Sequence, residues 1–528
     1  MTLSGAEQPM PNVTLDITGM KNAAALLQIA HLINASQDAL SAAGTDQAFA
    51  QLDELQKRNL APATAALAHY FRANAWNNRL KIAHPASNPW AWEQAERQEQ
   101  ILELRRAMKH EGFERLHPTN QCQIFTNLAN NLSSIGRFIE AVEIWDRALG
   151  VNDKFGMARG NRGYALSRYA EGLYDRGHAR LMLVAAHDGL RSAGARGAFY
   201  EEDYTAAKAF FKAREDHIGA LVPVAEIRRR QELQHHSLGR SAAEKRYRSW
   251  CLRERLFINP LNDLGPLPIA AHDVLTLPSI TRPATENGVP SIIGFFNQMK
   301  QEFVSARYLS YEGMHAKGVH FSDRGVRLYN TLDYPSYSLA AEKTRAAFRL
   351  AYSLFDKIGF FLNEHLELGI EPTQVSFRSL WHNPPKRNDP KPRTLRPRFV
   401  DYQNWPLRGL FWLSKDLFDE NFRSCTEPDA ADLNNIRNHL EHKYLQLHLE
   451  WGPSIASRSA ASVLGYAISR ADFQARALRV LKLARAALIY LSLAVHREER
   501  LRHGSKPNAR VGQMFLDTWD DEWKRGDF

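Results

Sequence analysis

Apolar and small residues recur at spacings of three and four through most of the chain, which is typical of amphipathic α-helices. From about residue 21 to 220 alanine and leucine carry this pattern, with few of the strict alternations that indicate a half-buried strand. The chain is therefore predicted to be all-α. The same periodicity predicts further helices in the second half, at 295–313, 337–368, 406–418 and 470–500.

A turn at Gly136 shows how the predicted helices pair. Ala129 and Leu132 lie on the apolar side of the helix before this turn, and a second apolar helix follows it. Gly163 and Leu166 repeat the small-apolar pair 34 residues later, which is the period of a tetratricopeptide (TPR) repeat. The first half of the chain therefore resembles a TPR-like domain. Such a domain presents a concave surface, which here would bind a peptide, an activator or an inhibitor.

The length of the chain predicts more than one domain, because 528 residues exceed the size at which a single core stops growing. Clustered Pro, Gly and Asn between residues 226 and 290 predict mostly irregular structure there, apart from a charged helix around Arg228–Arg230. The predicted organisation is a flexible N-terminus (1–20), a TPR-like helical domain (21–225), an irregular connector (226–290), a helical bundle (291–503) and a C-terminal tail (504–528).

Composition excludes several classes of protein. The three cysteines, Cys122, Cys251 and Cys425, lie far apart and form no metal-type pair, so we expect neither a disulfide framework nor a zinc site. The first residues lack the pattern of a secretory signal, and no stretch reaches the ~18 apolar residues of a membrane span. These features predict a cytoplasmic protein without a membrane partner.

An excess of positive charge favours a polyanionic partner such as nucleic acid, because 68 Lys and Arg outnumber 58 Asp and Glu. Part of the excess lies in a proline-rich loop at 382–399, which is either an RNA-contacting arm or a solvated linker. The RNA-binding candidates of this loop are Lys386, Arg387, Lys391, Arg393, Arg396 and Arg398. We interpret a second row of cations, in the last predicted helix, as a solvated face: Arg476, Arg479, Lys482 and Arg485.

The stretch RNHLEHKY, residues 437–444, concentrates polar side chains in a segment with helical periodicity. Pro428 between two acids predicts a helix start, and we expect the helix to continue to about Glu450. One stripe would face the core of its own domain: Leu433, Ile436, Leu440, Tyr444 and Leu447. A second face, partly apolar, would contact another protomer: Asn438, His442, Leu445 and Leu449.

Arg437 and His442 are the candidates for chemistry in this segment. Along a helix they are separated by about 7.5 Å and lie on different faces, so one helix cannot hold a phosphate between them. Two helices related by a two-fold axis would each supply an Arg and a His to a shared cleft. The same Arg-x4-His spacing begins at Arg79, Arg105 and Arg230, but only Arg437 is followed by Asn, with Tyr two residues after the His.

The pattern R-N-x3-H-x-Y from Arg437 to Tyr444 resembles the signature of the HEPN superfamily (higher eukaryotes and prokaryotes nucleotide-binding), whose fold is a helical bundle. The resemblance implies a homodimeric, metal-independent endoribonuclease without a cofactor, acting on RNA such as tRNA as a toxin or anti-phage effector. It implies that Arg437 and His442 are catalytic and that Asn438 supports the site. Tyr444 matches a tyrosine that is modified in some HEPN toxins, and His439 would be a helper or a surface residue.

These residue types suit cleavage by the ribose 2′-OH. Histidine transfers protons near neutral pH, and arginine matches the geometry of a phosphate whose charge grows during the reaction. The expected products carry a 2′,3′-cyclic phosphate and a 5′-OH. Two other interpretations stay open: His442 is an interface histidine with Arg437 paired to Glu441, or the protein is a non-catalytic scaffold that dimerises and binds RNA, nucleotide or protein.

Overall fold

The computed structural model describes residues 15–83, 90–201, 204–232, 236–282, 289–330, 332, 335–384, 394–418, 430–449, 465–505, 512 and 514–524. These residues form sixteen α-helices, several short 3-10 turns and one pair of strands, so the all-α prediction is confirmed. The helices of the first half are α1 (Asn22–Asp38), α2 (Ala42–Gln56), α3 (Pro62–Ala83), α4 (Ala95–Lys109), α5 (Pro118–Ser134), α6 (Phe138–Val151), α7 (Gly156–Gly172), α8 (Arg176–Ala193) and α9 (Thr205–Leu221).

The second half contains the longer helices and the two strands. The strands β1 (Tyr444–His448) and β2 (Gly465–Ser469) are parallel, with Tyr444 opposite Gly465. The helices are α10 (Val224–Glu232), α11 (Ala242–Arg253), α12 (Ser291–His315), α13 (Leu339–His365), α14 (Trp405–Phe418), α15 (Ala430–His442) and α16 (Arg470–Ser505).

The first half is built from helices that pack mainly on their neighbours in sequence, as in α3 with α4, α5 with α6, and α7 with α8. The turn after α5 has Gly136 at φ +91°, which favours glycine. There Arg137 N donates to Leu132 O at 2.8 Å, closing a Schellman-type helix end. The turn predicted at Gly136 is thus confirmed, while the TPR repeat itself stays a prediction.

The segment between residues 226 and 290 contains two helices, α10 and α11, and two 3-10 turns, so it is more regular than expected. Leu256, Phe257 and Ile258, which follow α11, are almost completely buried. This part of the chain is therefore a component of the core. The domain limits stay predictions.

Among the described residues, the larger apolar core runs through both halves of the chain, and a smaller one lies among α1, α2 and α3. Trp92, which precedes α4, packs on Phe399 and Phe411 at ring-centroid distances of 5.1 and 5.5 Å. Phe138 of α6 stacks on Trp405 of α14 at 4.4 Å. Because large aromatic side chains of each half bury those of the other, the two halves are stabilised by a common core.

Buried ion pairs join the same elements. Asp416 of α14 accepts two hydrogen bonds from Arg105 of α4, at 2.7 and 2.9 Å, and also pairs with Arg137. Arg485 of α16 is 1% exposed and pairs with Asp263 at 2.6 Å. The interpretation of the last helix's cations as a solvated face is therefore wrong for Arg485, because the segment after α11 covers it.

No helix in the described ranges combines the length and the apolar character needed to cross a membrane.

Candidate active site

Helix α15 carries the residues predicted to perform the chemistry. Leu433, Ile436 and Leu440 are between 0% and 6% exposed and pack into the domain's own core, as the sequence predicts. This face is set by the i, i+3, i+7 spacing of the three apolar residues. It leaves Arg437 and His442 on the other sides of the helix, where solvent reaches them.

The helix ends at His442, so its predicted continuation to Glu450 is wrong. Leu445 lies in β1 and is buried, whereas Leu449 follows β1 and is 69% exposed. The two leucines therefore do not form a helical face with His442. Tyr444 is likewise a strand residue, 36% exposed, and does not continue the apolar stripe of α15.

Two arginines of α13 hold the chain where α15 gives way to β1. Arg349 donates from Nη2 to Leu440 O, and Arg345 donates from Nη2 to Leu445 O at 2.8 Å. The cations thereby satisfy backbone carbonyls near the negative end of the α15 dipole. Neither arginine was singled out from the sequence, although their i, i+4 spacing on a long amphipathic helix places them on one face.

The guanidinium of Arg437 is partly exposed, and its Nη1 donates to Asn438 Oδ1 at 3.3 Å. The sequence left open an ion pair between Arg437 and Glu441. In the structure the Glu441 carboxylate lies 3.8 Å from Arg349 Nε, so Arg349 competes with Arg437 for it. Asn438 thus contacts the catalytic candidate, which fits the supporting role implied for it. A helix places Arg437 and His442 roughly 140° apart, whereas Asn438 and His442, at i and i+4, share a face.

His442 is exposed as the last residue of α15. His439, one turn earlier, has its Nδ1 2.7 Å from Asn435 O, and its ring lies 5.4 Å from that of Tyr466 in β2. His439 is therefore fixed by contacts inside its own domain. Its position beside His442 on the helix surface fits a helper better than a second catalytic residue.

Tyr444, the residue implied as a modification target, begins β1. Its hydroxyl is hydrogen-bonded to the hydroxyl of Tyr337, which precedes α13. The neighbouring Ser336 N donates to Leu447 O at 2.6 Å, so this segment is attached along β1. Any modification of Tyr444 would have to displace the contact with Tyr337.

The basic loop is described only at its ends. Arg396 donates from Nε to Leu380 O at 3.0 Å, and Arg398 pairs with Glu498 at 2.8 Å, so both cations serve contacts within the protein. Burial lowers the pKa of Arg396 below its ordinary value. The other four candidates lie outside the described residues: Lys386, Arg387, Lys391 and Arg393.

The structure does not bring these described loop residues to Arg437 and His442. Phe348 of α13 lies between Arg345 and Arg349 in sequence, and its ring centroid is 5.9 Å from that of Phe473 in α16. Phe473 therefore marks the end of α16 that is close to α15. Arg398 binds Glu498, which is about 37 Å further along the axis of α16 than Phe473. The described part of the loop therefore belongs to the opposite end of the helical bundle.

A segment with exposed apolar side chains precedes the residues that contact β1. We call residues 316–330, which connect α12 towards α13, the exposed arm. The chain after this arm forms a bridge between Pro335 and His448 of β1, so it reaches the strand that follows α15. Large apolar side chains of the arm are between 59% and 97% exposed: Val319, Phe321, Val326, Leu328 and Tyr329. Contiguous exposed apolar surface is common at sites where proteins associate with other molecules.

Among the described residues, no group of three or more His, Cys, Asp or Glu is arranged to hold a metal ion. A family model described as LA2681-like HEPN matches residues 283–498, which include α12 to α15, both strands and most of α16. No curated protein and no solved structure matches the chain.

Proposed function

Because residues 283–498 match a family model described as LA2681-like HEPN, we propose that the protein is a metal-independent endoribonuclease with Arg437 and His442 as its catalytic residues. The observation that carries the proposal is the position of the R-N-x3-H motif. It lies inside the matched region, at the end of α15, where His442 is exposed and Arg437 partly exposed.

The active unit of this proposal is a homodimer. In one subunit Arg437 and His442 diverge by roughly 140° around the helix, so a single copy of α15 does not converge on one phosphate. Two copies related by a two-fold axis would place an Arg and a His from each subunit around one cleft. The exposed arm is compatible with this arrangement, since the chain that follows it pairs with β1 and its apolar side chains would be covered by a partner subunit.

The reaction proposed is transfer of the phosphate within the RNA chain. One His442 takes the proton from a ribose 2′-OH while O2′ forms a bond to the adjacent phosphorus. The bond from phosphorus to O5′ breaks, and the leaving oxygen takes a proton from the second His442. The products are a 2′,3′-cyclic phosphate and a 5′-OH end, with no redox change.

Arg437 supplies the positive charge in this mechanism. Its guanidinium matches the non-bridging phosphate oxygens, on which negative charge accumulates before the leaving oxygen departs. Asn438 would keep the guanidinium in place through its side-chain carbonyl. Arg349, which is 43% exposed beside the end of α15, adds a second cation near the incoming phosphate.

In the cell, this activity would act as a toxin or an anti-phage effector, with RNA such as tRNA as its target. The TPR-like half would then bind the activator or antitoxin that controls it. Expression of the wild-type chain should slow growth, and expression of His442→Ala should not.

The chemistry can be tested on RNA directly. We expect the wild-type protein to cleave total RNA in the presence of EDTA and to leave 2′,3′-cyclic phosphate and 5′-OH ends. An RNA oligonucleotide that contains a cleaved linkage should become resistant when the nucleotide 5′ to that linkage is changed to 2′-deoxy, because DNA-like sugars lack the nucleophile.

Two results would contradict the proposal. Cleavage that continues at the 2′-deoxy position would exclude attack by the 2′-OH. RNA binding without any cleavage, together with unimpaired growth on expression, would instead support the non-catalytic scaffold.

A further inference from the structure

A cavity of about 510 Å³ lies between the two halves of the chain, far from the end of α15. The first half contributes Phe138, Arg168 and Glu171 to its wall, and the second half contributes Trp405, His496 and Arg500. Cavities of 300 to 1,000 Å³ at the junction of two folded units commonly hold small molecules, and this one falls in that range.

The wall of this cavity is positively charged. Arg168, Arg497 and Arg500 line it, and among the described residues none of the three belongs to an ion pair. The one carboxylate in the wall, Glu171, lies 3.5 Å from Arg214 Nη2, so a neighbouring cation already offsets its charge. Three guanidinium groups facing one space favour an anion, and a phosphate accepts several of their hydrogen bonds.

The charge is accompanied by aromatic surface. Phe138 and Trp405 stack at 4.4 Å, Arg168 lies over the Trp405 ring at 4.7 Å, and Trp90 lines the same space. Flat rings pack well against such walls, and guanidinium groups stack on them as well. The cavity thus combines a surface for a ring with a surface for an anion.

His496 adds a group whose charge responds to its surroundings. Burial, and then the positive charge of Arg500, lower its pKa below the ordinary value, and its ring lies 5.4 Å from that of Tyr174. A neutral imidazole can donate one hydrogen bond and accept another. It therefore offers a contact to a sugar or a base without adding to the charge of the wall.

We propose that this cavity binds a nucleoside monophosphate, with the phosphate on Arg168, Arg497 and Arg500 and the ring against the aromatic wall. The proposal rests on the cavity and does not depend on RNA cleavage. Because both halves line the space, the ligand contacts the TPR-like half and the HEPN domain together. It therefore offers a route by which a small molecule could act on the second half from a place remote from Arg437.

Calorimetric titration of the full-length protein with AMP tests this proposal. We expect binding of AMP, and binding at least tenfold weaker for adenosine, which lacks the phosphate, and for ribose 5-phosphate, which lacks the ring. Arg500→Gln should weaken AMP binding about fivefold, because one exposed cation contributes a fraction of the total. Arg191→Gln, an exposed arginine of α8 outside the cavity, serves as the matched control and should bind AMP like the wild type.

The proposal is overturned if the wild-type protein shows no binding of AMP at low millimolar concentration, or if Arg500→Gln and wild type bind it equally. Equal binding of adenosine and AMP would exclude the anion site. Equal binding of ribose 5-phosphate and AMP would exclude binding of the ring by the aromatic wall.

Discussion

At the scale of single residues, the sequence pattern selected one pair of candidate residues from four, but it did not reveal the residues that surround that pair. Of the four Arg-x4-His pairs, the flanking Asn and Tyr selected the one at Arg437, which lies in the matched family region. Arg105, from another pair, is buried in its ion pair with Asp416 and is therefore structural. Arg345 and Arg349 were missed because their partners are backbone carbonyls roughly 90 to 100 residues away, which leave no local pattern.

His365, at the end of α13, gives a pH-dependent prediction. The ring is 2% exposed, and neither of its nitrogens has a hydrogen-bond partner among the residues that the structure describes. Burial, and then Arg502 and Arg282, lower its pKa from 6.5 to about 3. Glu499 lies 3.8 Å away but is itself paired with Arg502 at 3.4 Å, so it does not stabilise an imidazolium.

This histidine should therefore destabilise the folded state as the pH falls. The unfolded chain takes up the proton near pH 6.5 and the folded chain only near pH 3, so the stabilisation present above pH 6.5 is lost between these values. From pH 7 to pH 5, the free energy of unfolding should fall about 2 kcal/mol more in the wild type than in His365→Gln. Urea unfolding at both pH values measures this. His217→Gln, on the surface of α9, should behave like the wild type, and equal pH slopes for all three proteins would show that His365 does not titrate in this way.

At the scale of elements, the helices followed from periodicity and the strands did not. Leu440, Tyr444 and Leu447 have helical spacing, and this led to the wrong expectation of a helix to Glu450. Leu445 and Leu447 also alternate as a strand requires, and both are buried. A stretch of five residues can fit the helical and the strand periodicity equally well. Pairing with β2 selects the strand, and local sequence does not reveal this partner because it lies further along the chain.

The crossing of α12 and α13 gives a second prediction. A Cβ placed on Gly313 would lie 2.7 Å from Ala340 O and 3.1 Å from Thr344 N, so Gly313→Ala would force the two helices apart. We expect it to lower the free energy of unfolding by about 1 to 3 kcal/mol. Gly219→Ala is the control, because a Cβ there, near the end of α9, meets no atom within 4 Å.

In the control, alanine should stabilise the protein by up to about 1 kcal/mol through its higher helix propensity. Denaturant unfolding of both variants measures the two effects. Stabilisation by both substitutions would show that α12 and α13 cross less closely than the structure indicates.

At the scale of the whole molecule, chain length predicted more than one domain, and the structure adds that the larger apolar core is continuous across both halves. The two-domain expectation came from chain length and from the irregular composition around residues 226–290. Neither reveals that aromatic residues such as Trp92 and Trp405 are buried between the halves. Long-range packing of this kind depends on the fold and cannot be derived from periodicity alone.

A substitution at Asp416 tests the contact between the two halves. Asp416→Asn removes the carboxylate that pairs with the buried Arg105 and is one of two buried carboxylates beside Arg137, the other being Glu140. We expect a loss of about 3 to 5 kcal/mol in the free energy of unfolding. Asp53→Asn removes an exposed partner of Arg72 and should change the free energy of unfolding by less than about 1 kcal/mol.

Because the core is shared, both halves should unfold in one transition in the wild type. Tryptophan fluorescence together with circular dichroism during urea unfolding would show this. Equal effects of the two substitutions, or separate transitions in the wild-type protein, would contradict a common core.

The proposed cleavage of RNA depends on His442 and Arg437. The most direct measurement compares the RNA cleavage rate, in EDTA and at equal protein concentration, of the wild type with His442→Ala and Arg437→Ala. His217→Ala and Arg229→Ala, at exposed positions outside the region that the HEPN family model matches, are the matched controls. We predict a cleavage rate at least a hundredfold lower in each of the two site variants and wild-type rates in both controls. The stability of His442→Ala should be unchanged, because His442 is exposed. A folded His442→Ala variant that cleaves RNA at the wild-type rate would show that His442 is not catalytic.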